Sequence, residues 1–164
     1  MTARWVVDGV QAERDIQITW QPISLYFKNE PNEGNPRFAF YERSHNLLRV
    51  MESIRAKEGS RSVQAYYWEL GRRIHHDKNF MDFDLADVLN VIDVSSDHAF
   101  AYEDPIFDEK IRERMSRGIA LAGEDIGTPI IAFDDHDGQR VGIFGPVITR
   151  VPKGDESVKL WDSV

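Results

Sequence analysis

The stretch from Gly123 to Phe133 constrains the fold of this chain more than any other. A segment with helical periodicity ends at Gly123, a polar loop follows, and Thr128-Pro129 opens an apolar run of strand character. Because proline cannot donate a ladder hydrogen bond, it is expected at the first residue, the edge or a bulge of a strand. Two interpretations stay open: an ordinary proline at a strand start, or a cis X-Pro bond in a functional loop.

Composition narrows the class of protein. The 164 residues have the length of a single domain, and 41% hydrophobic with 29% charged residues is typical of a globular chain. A net charge of -8 argues against nucleic acid and against an anionic membrane as partners. No apolar run approaches the roughly 20 residues of a membrane helix, and no secretory leader follows Met1, so we expect a cytoplasmic protein.

The sequence contains no cysteine. These residues therefore offer no disulfide, no thiolate metal ligand and no thiol nucleophile. The acidic stretch Asp134–Gly138 does not match a calcium-binding EF-hand loop and is predicted to be a hairpin turn, and no metal site is predicted elsewhere.

Periodicity predicts an α/β domain with a helical insertion. The helical pattern is already present at Met1. A strand with alternating apolar residues is predicted over Ile16–Trp20. Turn residues then lead into four helices, of which the third begins near Asp82 or Asp84 and the fourth at Asp104-Pro105. The apolar run after Pro129, a hairpin, a second strand and a final helix complete the order.

Several motifs resemble the actinobacterial DsbA-like, mycothiol-dependent oxidoreductase (nitroreductase) family. In the C-terminal part they are Gly123–Pro129, Phe144–Val147, Val151–Gly154 and Lys159–Asp162. Upstream they are Arg4–Val6, Arg14–Ile16, Ser24-Leu25, Asn29-Glu30 and, in the helical insertion, Gly71–His75. The resemblance spans almost the whole chain.

The resemblance implies a thioredoxin-like fold of DsbA type. It predicts a single domain over residues 1–164, in which residues 1–30 and 125–164 form the thioredoxin-fold parts and residues 31–124 the helical insertion. Family members carry a strand and a Cys-Pro-Trp-Cys motif just before the helix that begins here at Met1. We therefore expect an N-terminally truncated version that is redox-inert as this chain.

The resemblance also assigns candidate site residues. Gly127, Thr128 and Pro129 correspond to the cis-proline loop that pairs with a bound thiol, or else form a structural entry to the strand. His75 is a candidate for tuning the pKa of the attacking sulfur and shuttling a proton, or else interacts with the helix dipole. Asn29 is a candidate for hydrogen bonding a polar thiol, or else serves its turn.

Three hypotheses for function follow. The first is a thiol-disulfide oxidoreductase of the mycothiol-dependent reductase class, with mycothiol or a similar low-molecular-weight thiol as cofactor. The second is a cysteine-free, thiol-binding transferase or isomerase like the kappa-type glutathione transferases. The third is a non-enzymatic module in which a second copy completes the sheet, because exposed sheet edges recruit partners. The partners predicted are thus a small thiol or disulfide and a homo-oligomer.

Overall fold

A computed structural model describes residues 1–164, and it shows a mixed α/β protein that is mostly helical. The chain forms two compact units, the first comprising Met1–Thr19 with Ser116–Val164 and the second Trp20–Met115. The helices are α1 (Thr2–Arg4), α2 (Gln11–Arg14), α3 (Leu25–Asn29), α4 (Phe38–Glu58), α5 (Ser60–Gly71), α6 (Leu85–Val91), α7 (Asp108–Ala122) and α8 (Asp155–Asp162). The strands are β1 (Ile130–Asp134) and β2 (Arg140–Phe144).

Short helical segments of other types join several of these elements. Trp5–Val10 and Arg72–His76 are π-helical, whereas Ser96–Glu103 and Pro105–Phe107 are 3-10 helices. The first π-helical segment connects α1 to α2, so the chain is helical from Thr2 to Arg14, and the second extends α5 to His76. The helices predicted at the start of the chain and within residues 31–124 are confirmed.

The core of the second unit lies between α4 and α5. Val50, Ile54, Val63 and Tyr66 are fully buried there, together with Val88 of α6. Between the two long helices the backbone of Gly59 has a φ of +81°, a conformation that glycine adopts without steric cost. The predicted helix stop at this position is therefore confirmed.

Local capping explains where the later helices begin. The Asp84 carboxylate accepts a hydrogen bond from the Ala86 amide at the start of α6. The Asp104 carboxylate accepts from the Ile106 amide, with Pro105 in the first turn of a 3-10 segment that runs directly into α7. Both starts agree with the capping residues that the sequence indicated.

The first unit contains the hairpin. β1 and β2 are antiparallel, with Ile130 opposite Phe144 and Ala132 opposite Gly142. In the turn, the Asp135 carboxylate accepts hydrogen bonds from the amides of Asp137 and Gln139. The predicted hairpin is therefore confirmed, and its turn is closed by local hydrogen bonds.

A small aromatic core holds the helical parts of the first unit together. Trp5 is fully buried, its indole Nε1–H donates to the Ser157 carbonyl of α8 at 2.9 Å, and its ring meets that of Trp161 edge-on at 5.9 Å. At the ends of the two helices, the Arg14 guanidinium forms two hydrogen bonds with the Asp162 carboxylate. Side chains from the hairpin and the loops also pack on this core, among them Ile16, Ile18 and Ile131.

The strand predicted over Ile16–Trp20 is wrong. These residues form no ladder, and the sheet consists of β1 and β2 alone. A period-2 apolar pattern selects an extended segment with one face inward, but a strand also needs a neighbour to pair with. Ile16 and Ile18 pack against the aromatic core without one. No helix in the structure has both the length and the apolar character needed to cross a membrane.

Candidate functional site

The loop that precedes β1 carries the first group of predicted site residues. Gly127 and Thr128 are exposed, Pro129 is half-buried, and the Thr128–Pro129 peptide bond is cis. The Pro129 carbonyl accepts a hydrogen bond of 2.8 Å from the Gly145 amide, at the far end of β2. The base of the hairpin therefore fixes one side of this loop.

A second cis-proline lies beside that base. The Gly145–Pro146 bond is cis, and the Pro146 carbonyl accepts a hydrogen bond of 2.7 Å from the Thr2 hydroxyl of α1. Thr2 is buried, so the start of the N-terminal helix is held against the loop that follows β2. Two proline loops and one helix start thus share a connected set of hydrogen bonds within the first unit.

The Thr128 backbone is open to a ligand. Thr128 is exposed, and its backbone N–H and C=O form no hydrogen bond within the chain. A β-carbon at Gly127 would meet only the Phe144 ring, at an ordinary 3.8 Å, so the loop leaves room beside it. A free amide and carbonyl on an exposed loop can form hydrogen bonds with a polar ligand.

Asn29 lies in the second unit. It is the last residue of α3, it is exposed, and the backbone at the following Glu30 is left-handed, with a φ of +43°. Its side chain therefore stands at a helix end on the surface, where a ligand can reach it.

His75 also lies in the second unit, exposed near the end of the π-helical segment that extends α5. Two arginines of the motif around His75, Arg72 and Arg73, donate hydrogen bonds to the buried carboxylate of Glu69. The Arg72 bonds, opposed by burial and aided by Arg73, lower the pKa of Glu69 from its ordinary 4.5 to about 2. These bonds fix the backbone from which His75 projects.

The second unit contains a buried polar chain that the sequence analysis missed. His45 of α4 is 2% exposed, with its Nδ1 3.0 Å from the Ser24 hydroxyl and its Nε2 3.1 Å from the Asp108 carboxylate. Ser24 is 1% exposed and caps α3, accepting a hydrogen bond from the Phe27 amide. The guanidinium of Arg49, one turn along α4, donates hydrogen bonds of 2.7 and 2.9 Å to the two carboxylate oxygens of Asp108.

Charge and burial determine the protonation states of Asp108 and His45. Burial raises the pKa of Asp108, but the hydrogen bonds and charge of Arg49 outweigh it and hold that pKa below its ordinary value. Burial lowers the pKa of His45. The carboxylate of Asp108 raises this pKa, whereas the positive charges of Arg49 and Arg112 lower it further. Since Arg49 already neutralises Asp108, the net effect on His45 is a lowered pKa, and the imidazole is neutral at pH 7.

An open hollow lies beside the hydrogen-bonded set Ser24–His45–Asp108. It has a volume of about 230 Å³ and is lined by Tyr26, Phe27, Glu30, Pro31 and Arg112. The Arg112 guanidinium stands 3.5 Å above the Phe27 ring, and the rings of Tyr26 and Phe27 pack on His45. The hollow and Asn29 therefore share helix α3.

The structure keeps some predicted site residues together and places others apart. Gly127, Thr128 and Pro129 form one exposed loop of the first unit, whereas Asn29 and His75 stand on different helices of the second. The signal that could have pointed to the missed chain was the polar set His45, Asn46 and Arg49 next to an apolar stripe of a long helix. Its partners Ser24 and Asp108 are too distant in the sequence for spacing to reveal them.

These features define a mostly helical α/β protein with an exposed proline loop at the base of a β-hairpin. The model of the Rv2466c-like family, described as mycothiol-dependent nitroreductase Rv2466c, matches residues 1–164. The chain belongs to this family. The predicted relationship to mycothiol-dependent oxidoreductases is confirmed at this level, and a small thiol is the cofactor or cosubstrate that the family name indicates.

Proposed function

We propose that these residues bind mycothiol, or a similar low-molecular-weight thiol, for the reduction of a second small molecule. The observation that carries the proposal is the match of the whole chain to a mycothiol-dependent nitroreductase family. When bound, the thiol supplies the sulfur that forms and breaks bonds during reduction. The 164 residues contain no cysteine, so we propose that they position the thiol and are themselves redox-inert.

The proline loop is the proposed thiol-binding element of the first unit. The free backbone groups of Thr128 would pair with the polar part of the thiol, while Gly127 keeps the approach open and Pro129 removes a competing donor. In the second unit, taken by itself, we propose that the Asn29 amide hydrogen bonds a polar thiol. His75 is exposed and would exchange a proton with it or with the substrate.

The proposed fold is thioredoxin-like, of DsbA type, in one domain. The helix over Thr2–Arg14, the hairpin and α8 correspond to residues 1–30 and 125–164 of this plan, and the helices within residues 31–124 to its insertion. This assignment is supported by the family match and by the order of the elements. We also propose thiol-disulfide exchange as a reaction of this family.

Calorimetric titration of the protein with reduced mycothiol tests the function. We expect saturable binding, weakened about tenfold by Asn29→Ala, which is the size of one lost hydrogen bond. Gly127→Val should weaken it comparably by crowding the loop. Asn90→Ala is the matched control, an exposed asparagine on α6, and should leave the affinity unchanged. Absence of mycothiol binding at millimolar concentration would end the proposal.

The role of His75 needs a separate measurement. In assays of mycothiol-dependent reduction we expect His75→Gln to change the pH dependence of the reduction rate and to leave the thiol affinity nearly unchanged. His76→Gln is the control, because this histidine is also exposed but on a different face of the helix. Equal effects of the two variants would show that His75 has no special role.

Glutathione in the same titration distinguishes the second hypothesis. A kappa-type transferase or isomerase would bind glutathione at least as tightly as mycothiol. Preference for glutathione would therefore replace the mycothiol assignment, whereas preference for mycothiol would support it.

We also propose that a second copy of the chain adds to the sheet. The sheet has only two strands, and each leaves one edge without a ladder partner. Phe144 is 49% exposed on β2, which gives this hairpin an apolar surface. Light scattering should show a dimer that Phe144→Lys converts to a monomer; a monomeric wild-type protein would contradict this.

A further inference from the structure

The buried chain Ser24–His45–Asp108 has only one arrangement of protons that satisfies all of its members. Asp108 is ionised and held by two Arg49 bonds, so it only accepts hydrogen bonds. His45 Nε2 must therefore carry the proton that it donates to Asp108. In neutral His45 the other nitrogen, Nδ1, has no proton and accepts one from the Ser24 hydroxyl.

This arrangement leaves the Ser24 oxygen free for a second task. One of its lone pairs accepts the hydrogen bond from the Phe27 amide at 3.1 Å and so caps α3. Helix α3 spans only Leu25–Asn29, which is too short to be stable by its own hydrogen bonds. Its position therefore depends on this cap and on the packing of Tyr26 and Phe27 against His45.

Protonation of His45 reverses one link of the chain. A proton on Nδ1 would point at the Ser24 oxygen, and the Ser24 hydroxyl proton would lose its acceptor in a site that is 1% exposed. A buried donor without an acceptor is costly, so the serine must turn or the start of α3 must open. Every charged or titratable side chain facing His45 bears on this step: Tyr26 on α3, Arg49 on α4, and Asp108 and Arg112 on α7.

We propose that Ser24, His45 and Asp108 form a positioning relay that holds α3, and with it Asn29, in place while His45 is neutral and releases it when His45 is protonated. The link to thiol binding rests on the proposed role of Asn29. The relay itself acts on α3 whether or not a thiol binds there. His45 is a positioning residue, since it lies behind α3 and touches no proposed ligand.

Hydrogen exchange of the whole chain, expressed as protection factors, tests the relay without any ligand. We expect the protection factors of the Phe27 and Asn29 amides to fall about threefold or more when the pH is lowered from about 7.5 to about 5.5. These two values lie on either side of the ordinary histidine pKa. His45→Gln keeps an N–H for Asp108 but cannot titrate, so its α3 protection should not vary with pH. Ser24→Ala should show low protection at both pH values.

The chain offers a matched control in a second serine–histidine pair. His98 is also 2% exposed, and its Nδ1 lies 2.8 Å from the Ser53 hydroxyl, away from α3. His98→Gln should keep the pH dependence of α3 protection that the wild type shows. If His45→Gln also keeps it, or if α3 protection in the wild type is independent of pH, the relay is refuted.

Mycothiol titrations at the same two pH values test the functional link. We expect the wild-type dissociation constant to rise about threefold or more at the lower pH, and that of His45→Gln to stay constant. Constant wild-type affinity alongside pH-dependent α3 protection would confirm the relay and remove its link to the thiol. Because exchange needs no thiol, absence of mycothiol binding would contradict the proposed function and leave the exchange result standing.

Discussion

At the scale of single residues, the carboxylate of Glu69 has a strongly lowered pKa. This carboxylate is only 8% exposed and lies between two arginines, which hold its pKa at about 2. A folded-state pKa below the ordinary 4.5 means that the unfolded chain binds the proton more tightly. The stabilisation is therefore present above pH 4.5 and is lost as the pH falls from 4.5 towards 2.

Glu69→Gln should lower the free energy of unfolding at pH 7 by about 1–3 kcal/mol, because it leaves two arginines facing an uncharged group. Urea unfolding at pH 7 and pH 3 measures this, and the difference between wild type and variant should shrink at the lower pH. Glu156→Gln removes an exposed partner of Arg150 and should have no measurable effect. Equal effects of the two variants would contradict the assignment.

Residues also differ in how well the sequence predicts them. Asp104 could be identified as a cap, and Asp84 as one of two candidates, because the amides that they bind lie only two positions further along the chain. The partners of His45 lie 21 and 63 positions away, so only the folded chain shows them. The sequence motif around His75 was likewise visible, whereas the burial of Glu69 beneath it was not.

At the scale of elements, the sequence predicted helices better than strands. Helices α4 to α7 follow from apolar stripes, a glycine stop and capping residues, all of which act within a few positions. The segment Ile16–Trp20 carries the alternation of a strand, yet pairing depends on a neighbour that periodicity cannot supply. The hairpin was predictable because its partner is the next segment of the same chain.

The attachment of α8 to the N-terminal helical segment gives a prediction at this scale. Trp5→Phe removes the hydrogen bond to the buried Ser157 carbonyl and part of the contact with Trp161. We expect it to destabilise the first unit by about 2–4 kcal/mol, measured by the loss of hydrogen-exchange protection in α8. Trp68→Phe, at a half-buried position of the second unit, should leave α8 protection unchanged. Unchanged protection in Trp5→Phe would contradict the role of this contact.

At the scale of the whole molecule, the two units have cores of unequal size. The core of the second unit is built from long helices with many fully buried side chains, whereas that of the first centres on Trp5, Val6 and Val10. Stability within a protein follows such differences in burial.

We therefore expect the amides of Val50 and Ile54 to be protected from exchange at urea concentrations where those of Ile131 and Ile143 already exchange freely. Native-state hydrogen exchange with increasing urea measures both sets in one experiment. A common urea dependence for all four amides would show that the units unfold together and would contradict this expectation.

The contact between β2 and α7 limits how the hairpin can be assembled. A β-carbon at Gly142 would lie 2.6 Å from the Leu121 β-carbon and 3.3 Å from its carbonyl carbon. Sliding β2 by one residue would bring Val141 or Ile143 to this point, where neither side chain fits. Only the alignment that places Gly142 against Leu121 is therefore sterically possible. This alignment of β2 also determines the separation between the two proline loops.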